Sequence, residues 1–359
     1  MPQDLCYNVN MSAIDPGSSQ YASYPPTMIA LCVASYLDMA DIPPAVQQLG
    51  LEVVWGPAEL TDIVGISYSL AYIVHNAATN EVTVVIRGTN MVSLGSWWDE
   101  DFQIGTLVPF KKYAPHAKGN PQISQGTANG IDYLLSLQDP TTNQQMVAFL
   151  LNWYTQGPPP SAVYVTGHSL GGALTPPMVA ILNDAIFDGG PITDMAWWTF
   201  AGPTSGDESF ANYFEALWPF QFPGRYHNTL DIAPFCWWSE DDVENIYVPN
   251  DLYWGLPESA GIELLFYSAE GISYTQPAAD VTLQGTFNDD WLPDYLWTVQ
   301  AADQHSSDTY QTLVNAMYPT AGGRTIAGPT RQRRDATSSP RGRTTVELAD
   351  FPPINKPGS

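Results

Sequence analysis

The strongest chemical statement in the chain is the run Gly167, His168, Ser169, Leu170, Gly171 and Gly172. It follows an apolar, β-branched stretch from Ala162 to Thr166 and opens a segment of helical composition. Gly-x-Ser-x-Gly between a strand and a helix is the layout of a nucleophile elbow, in which the serine sits on a sharp, strained turn. Glycine is needed on both sides, because a β-carbon at Gly167 or Gly171 would crowd the strand or the helix. The product is an exposed hydroxyl above a helix N-terminus, whose backbone N–H groups can stabilise an oxyanion. A chance match of the motif would not be expected to have a strand before it and a helix after it. Ser169 is therefore the candidate nucleophile.

A serine hydroxyl is a weak nucleophile until a histidine takes its proton and a carboxylate fixes that histidine's tautomer. In α/β-hydrolases the partners follow the serine in the order acid, then histidine. Only His227 and His305 lie downstream of Ser169. His305 stands directly before a helical run from Asp308 to Met317 that Ser306 or Ser307 can cap, and a loop entering a helix suits a general base. His227, four residues before Asp231 on a short strand, reads as structural and is the alternative. His75 and His116 read as a strand-end and a loop histidine, and His168 is expected to point into the packing beside the nucleophile. For the acid, Asp231 ends the strand that begins at Arg225 and precedes Pro234; Asp207 is the runner-up, and a plain turn aspartate is the bland reading of Asp231.

A second oxyanion donor is expected from the loop after an early strand, where Arg87-Gly88-Thr89 follows Val82 to Ile86. Thr89 would give its N–H and hydroxyl, and Leu170 its N–H. The next loop carries Trp97, Trp98, Phe102, Leu107 and Val108 among polar residues. Such aromatic density outside a regular pattern suggests a lid over an apolar, substrate-binding groove, with core packing as the alternative. Trp237 and Trp238 are candidates for the acyl side of that groove.

These groups need a frame. Met28 to Met39 reads as a helix, Val64 to Val74 and Val82 to Ile86 as two strands joined by a turn, and Ala128 to Leu137 and Gln144 to Tyr154 as helices. The elbow strand follows, then strands at Ala196 to Phe200 and Arg225 to Thr229 with a helix at Phe210 to Leu217 between them. This rhythm predicts a mostly parallel central sheet flanked by helices, the α/β class. Pro176-Pro177 falls inside the elbow helix, which is expected to kink or restart there.

The bulk properties narrow the partners. With 37 acidic residues against 12 Lys plus Arg, the formal charge is −25, yet only 14% of the 359 residues are charged. Cations are missing rather than acids added, since about 25% charged is usual. Such a field disfavours nucleic acid and anionic surfaces and suits neutral substrates. From Pro319 onward the composition changes: seven of the twelve cations sit there among Gly, Pro, Ser and Thr, beside only Asp335, Glu347 and Asp350. The expected organisation is an irregular segment 1–24, one domain 25–318 and a disordered basic tail 319–359. The three cysteines, Cys6, Cys32 and Cys236, are too few for a disulfide framework or a four-ligand zinc site. No basic leader with an apolar core and no run of about 18 apolar residues is present, so a soluble protein is expected. The elbow chemistry calls for no metal and no cofactor.

Taken together, the segments from about Val64 to Tyr310 resemble the class 3 lipases, the fungal-type family of α/β-hydrolases. Val82 to Thr89 is similar to that family's strand and oxyanion motif, Trp98 to Asp101 to its lid, and Gly167 to Leu174 to its elbow. Thr199 to Gly206 and Arg225 to Pro234 resemble the approach to its acid, and His305 to Tyr310 its histidine segment. The resemblance implies an α/β-hydrolase fold with a lid, and Ser169, Asp231 and His305 as a triad with Thr89 and Leu170 as the oxyanion hole. It implies hydrolysis of carboxylic esters, glycerolipids foremost, with an acyl ester or lipid as partner and transient contact with a lipid interface. Four positions depart from the pattern: Ser124 stands in place of a histidine, Thr127 of a phenylalanine, Ala201 of a glycine and Thr204 of an arginine. Phospholipase A1, short-chain or aryl esterase and acyltransferase activities share the same machinery, and a catalytically silent lipid-binding protein is the rival from another class.

Overall fold

The computed structural model describes residues 21–61, 67–88, 103–190, 192, 194–218, 224–250, 266–278, 280–288, 296–319 and 325–328. The expected N-terminal segment 1–24 therefore lies outside the described residues up to residue 20, and so does most of the expected tail 319–359.

The centre is a seven-stranded sheet in the order β1-β2-β3-β6-β7-β8-β9. β1 (Glu52–Thr61), β2 (Ser67–Asn76) and β3 (Glu81–Ile86) pair antiparallel. β3 then pairs parallel with β6 (Ala162–His168), and β6 with β7 (Met195–Phe200), β8 (Arg225–Asn228) and β9 (Asp280–Leu283) continue in parallel. Every residue of β3, β6 and β7 is buried. Strands covered on both faces must be apolar throughout rather than alternating, which is why Val82 to Ile86 and Ala162 to Thr166 read as unbroken runs. The β2–β3 turn uses Asn80 in the left-handed region, φ 56°, and the Asn76 side chain accepts from the Ala78 N–H at 3.1 Å. β1 was not legible in the sequence; it is an edge strand with register shifts and carries Pro57, which only an edge or a bulge accepts.

Helix α1 (Tyr24–Ala34) covers one face of the sheet. It begins earlier than Met28 because Pro25 and Pro26 fall in the first turn, where a missing N–H leaves no bond unmade. All its residues are buried. Its inner side meets the sheet, and Ala30, Val33 and Ala34 pack with Ala45 of α2 (Ile42–Gln48) and with Ile326. Thr325–Gly328, which composition assigns to the tail, are thus tied to the domain: the Ile326 N–H donates to Gln311 Oε1 and Gln311 Nε2 donates to the Ile326 carbonyl, both at 3.0 Å.

On the opposite face lie α3 (Gln125–Ser136), α4 (Met146–Gln156) and the elbow helix α5 (Leu170–Phe187). α5 does not restart at Pro176-Pro177 but runs as one helix. Pro177 leaves the Ala173 carbonyl without its usual partner four residues on, and the Ser205 hydroxyl donates to that carbonyl at 2.6 Å. One of the two bonds that the proline pair forfeits is thus replaced from a neighbouring loop. Of the described helices, α5 is long and apolar enough to cross a membrane, and 78% of that window is buried inside the fold.

A two-stranded hairpin, β4 (Leu107–Pro109) with β5 (Gln122–Ser124), leads into α3. α6 (Glu208–Glu215) follows β7, α7 (Glu240–Asn245) follows β8, and α8 (Leu296–Gln304) and α9 (Ser307–Met317) close the described fold.

Candidate active site

Ser169 sits between the last residue of β6 and the first of α5, with φ 60° and ψ −129°. No ordinary side chain adopts that conformation without strain, and the neighbourhood supplies the reason it persists. A β-carbon on Gly167 would run into the Gly171 carbonyl, and one on Gly171 into the Ile86 carbonyl. Strand, turn and helix are therefore pressed together backbone to backbone, and the serine side chain is turned out. Its amide donates to the Phe200 carbonyl at 2.9 Å, which pins the turn to the next strand.

The loop after β8 holds Asp231, and the corner between α8 and α9 holds His305. Ser306 caps α9 by accepting from the Thr309 N–H at 3.1 Å, so His305 hangs at a fixed helix entrance. The structure brings Ser169, His305 and Asp231 into one line. Ser169 Oγ is 2.8 Å from His305 Nε2, and His305 Nδ1 is 2.9 and 3.0 Å from the two Asp231 oxygens. His305 and Asp231 are fully buried, while Ser169 is 8% exposed. The pair is dry and the serine stands at the rim. The buried carboxylate is satisfied by further donors: Tyr310 O–H gives to Oδ2 at 2.7 Å and the Ala233 N–H to Oδ1 at 3.0 Å. Tyr310 also accepts from the Asn228 N–H at 3.0 Å, which ties α9 to β8. Burial, followed by the Asp231 charge, holds the Tyr310 phenol well above its usual range, so it remains a donor.

With Asp231 accepting at Nδ1–H, the imidazole presents Nε2 as an acceptor for the serine proton. That arrangement can remove a proton from Ser169 as it attacks and return it to a leaving group.

The other candidates fall elsewhere. Leu170 is the first residue of α5, whose early N–H groups have no partner within the helix. Thr89, Trp97, Trp98 and Phe102 lie outside the described residues. Gly88 is described, and a β-carbon there would stand 2.7 Å from that of Ser169. Leu107 and Val108 form β4, opposite Ser124 and Ile123; Leu107 packs beside Ile104 and Trp237, Val108 against the main core. Trp237 is buried, at φ 64°, and donates to the Thr204 carbonyl at 3.0 Å. Trp238 is 41% exposed and stacks on Phe235. His227 Nδ1 lies 3.0 Å from Asp280 Oδ2, in ion-pair reach but outside hydrogen-bond alignment, and Asp207 caps α6 by accepting from the Phe210 N–H at 2.8 Å. Neither joins Ser169. Among the described residues no group of three His, Cys, Asp or Glu side chains is placed to hold a metal ion.

Sequence reasoning left two groups unread. Tyr310 is five residues after His305 in the first turn of α9, a spacing that would have suggested proximity. His168, expected to be packing, is buried against His305 and bonds its carbonyl at 2.9 Å. The four departures also have local explanations in part. Ser124 caps α3 through the Thr127 N–H at 2.9 Å, Thr127 donates to the Ser205 carbonyl at 3.0 Å, and the Thr204 hydroxyl donates to the Cys236 carbonyl at 3.0 Å.

Residues 83–237 match the model of the lipase (class 3) family. Over that stretch the chain is similar to the class 3 lipases. Among solved structures, M37 lipase is similar at 27% identity, over 82% of this chain and 94% of that one, with a TM-score of 0.67. The triacylglyceride lipase of Rhizomucor miehei is 23% identical over 60% of this chain and 74% of its own, with a TM-score of 0.44. No curated protein matches the chain. The central sheet and its flanking helices are those of an α/β-hydrolase.

Proposed function

We propose that this protein is a class 3 lipase that hydrolyses carboxylic esters of the triacylglycerol type through an acyl-enzyme on Ser169. One observation carries the reading: Ser169 Oγ lies 2.8 Å from His305 Nε2 while both oxygens of a dry Asp231 hold Nδ1. Ser169 Oγ bonds to the ester carbonyl carbon as its proton passes to His305 Nε2, and the carbonyl π electrons move to oxygen. The Leu170 N–H at the start of α5 stabilises that oxyanion, with Thr89 as the second donor. Collapse breaks the carbon–oxygen bond to the alcohol, which takes the proton from His305. Water then repeats the sequence, its proton going to His305 and on to Ser169, and the fatty acid leaves. Asp231 orients the ring and stabilises the imidazolium throughout. The lipid preference rests on exposed aromatic side chains, Trp238 at 41% just after the acid loop and Tyr267 at 72%, and on an acidic field that suits neutral substrates.

Hydrolysis of p-nitrophenyl esters from short to long acyl chains, with wild type beside Ser169→Ala, tests this. Loss of activity in the variant by about 10⁴-fold or more, with rates in wild type rising with chain length, is expected. A preference for short chains makes the protein an esterase, and a folded wild type without turnover makes it a lipid-binding protein.

A further inference from the structure

The residue before the nucleophile has a second structural assignment. His168 closes β6, is buried, and has both ring nitrogens engaged. Nε2 is 2.9 Å from the carbonyl oxygen of His305, and Nδ1 is 2.9 Å from the hydroxyl of Tyr36, just beyond α1. A carbonyl can only accept, so Nε2 carries the proton and Nδ1 must accept from the Tyr36 O–H. The Tyr36 oxygen in turn accepts from the backbone N–H of Gly88, at the end of the strand–loop that leads to Thr89. A β-carbon on Gly88 would stand 2.5 Å from that same hydroxyl and from the His168 carbonyl, so the loop is seated directly on this pair. A single directional chain results: Gly88 N–H to Tyr36, Tyr36 O–H to His168, His168 Nε2–H to His305.

We infer that His168 and Tyr36 are positioning residues that hold the backbone of His305 in register with the oxyanion side of the site, and that Tyr36 does so by locking one tautomer of His168. This rests on the ester-hydrolase reading of Ser169, Asp231 and His305.

The need for a locked, neutral ring follows from distance. The His168 and His305 ring centroids are 5.1 Å apart. His305 becomes cationic as Ser169 attacks, and a second cation at that range would oppose it. The groups facing His168 are His305, the edge-on ring of Tyr310 at 5.6 Å and Tyr36, with Cys32 and Arg87 beyond Tyr36. None is a carboxylate that would favour a charged His168. Burial, and next the His305 charge, hold its pKa well below 6.5, consistent with a ring whose Nδ1 lone pair is already taken by the Tyr36 proton.

The test uses the whole chain: labelling of Ser169 by a fluorophosphonate, and kcat and KM for a p-nitrophenyl ester from pH 5 to 9. His168→Leu removes the donor to His305 and is expected to lower kcat about 100-fold with KM within about threefold, the cost of a displaced base. Tyr36→Phe removes one oxygen and frees Nδ1. It is expected to lower kcat about tenfold and to add a second ionisation on the acid limb, where His168 now takes a proton. His168→Gln keeps an N–H toward the His305 carbonyl and cannot ionise, so it retains kcat within about threefold and abolishes the second ionisation when combined with Tyr36→Phe. Folded His168→Leu with kcat within threefold of wild type overturns the inference, as does Tyr36→Phe with a superimposable pH profile. Should His168→Leu fail to fold, Tyr36→Phe decides alone. Wild type that does not react with the phosphonate overturns the hydrolase reading and this inference with it; wild type and variants labelling equally fast overturn only this one.

Discussion

The two faces of β6 are built on opposite principles. Toward α1 the strand presents Tyr164, Thr166 and His168, all partnered: Tyr164 donates to Glu81 at 2.8 Å, Thr166 meets Cys32 Sγ at 3.4 Å and His168 meets Tyr36. Trp198 and Tyr24 complete this face by stacking at 5.5 Å. Toward α5 it presents Val163, Val165 and Gly167, with no polar side chain, ending where backbone meets backbone. One face is held by hydrogen bonds that reach the site. The other is held by close approach that creates the elbow. On the proposed reading, catalytic geometry depends on both, with Ser169 positioned by the lack of β-carbons on one side and His305 anchored from the other.

The sharpest way to break the contrast is to add one carbon to the face that excludes it. Gly167→Ala puts a methyl against the Gly171 carbonyl and 2.9 Å from the Gly172 nitrogen, backbone atoms that cannot rotate away. A loss of about 3 kcal/mol or more is expected, with activity abolished even where the protein still folds. Urea unfolding monitored by tryptophan fluorescence checks it. Near-wild-type stability would mean that strand and helix are not in fixed contact.

The polar face gives a smaller effect that depends on pH. The His168 pKa is depressed in the folded protein, burial being the main cause and the His305 charge the next. Below its unfolded value of 6.5 the unfolded chain binds a proton that the folded chain refuses, so stability is lost as pH falls. The loss sets in as pH falls through 6.5 and grows toward the depressed folded value, while well above 6.5 the group contributes nothing. Comparing the pH dependence of unfolding in wild type and His168→Gln isolates it from the many carboxylates. Identical slopes would show that folding does not depress the His168 pKa.

The same contrast explains what could be read from the sequence. The α5 face was legible because it is local: glycines at fixed offsets from Ser169, after an apolar run, state the turn outright. The order Ser169, Asp231, His305 and the Ser306 cap were legible for similar reasons. The polar face was not, because its partners are far apart in the chain. Tyr36 and His168 are 132 residues apart and nothing local marks the pair. Some elements were hidden by composition. β9 is four residues long and largely uncovered, and α8 turns Gln300 and Gln304 inward where an apolar stripe would have revealed it. The continuity of α5 through Pro176-Pro177 was also unreadable, since the hydroxyl that replaces one of the lost bonds comes from Ser205.

The smallest effect is expected where the close-packed side departs from its own rule. Beyond β7 the chain turns so that Gly202 can lie against Gly172, and the turn requires φ 57° at Ala201. A residue with a β-carbon pays about 1–2 kcal/mol in the left-handed region, and glycine recovers that at an entropic cost of about 0.5–1 kcal/mol in the unfolded chain. Ala201→Gly should therefore stabilise the protein by about 0.5–1 kcal/mol, raising the thermal midpoint by about 2 °C. Ester turnover should stay near wild type, because the Ser169, His305 and Asp231 side chains bond to each other, to Tyr310 and to the Ala233 N–H, not to Ala201. A lower midpoint, measured by differential scanning calorimetry, would mean that the methyl group contributes more by packing than the backbone loses by strain, and that the side facing α5 tolerates β-carbons wherever a strand has already ended.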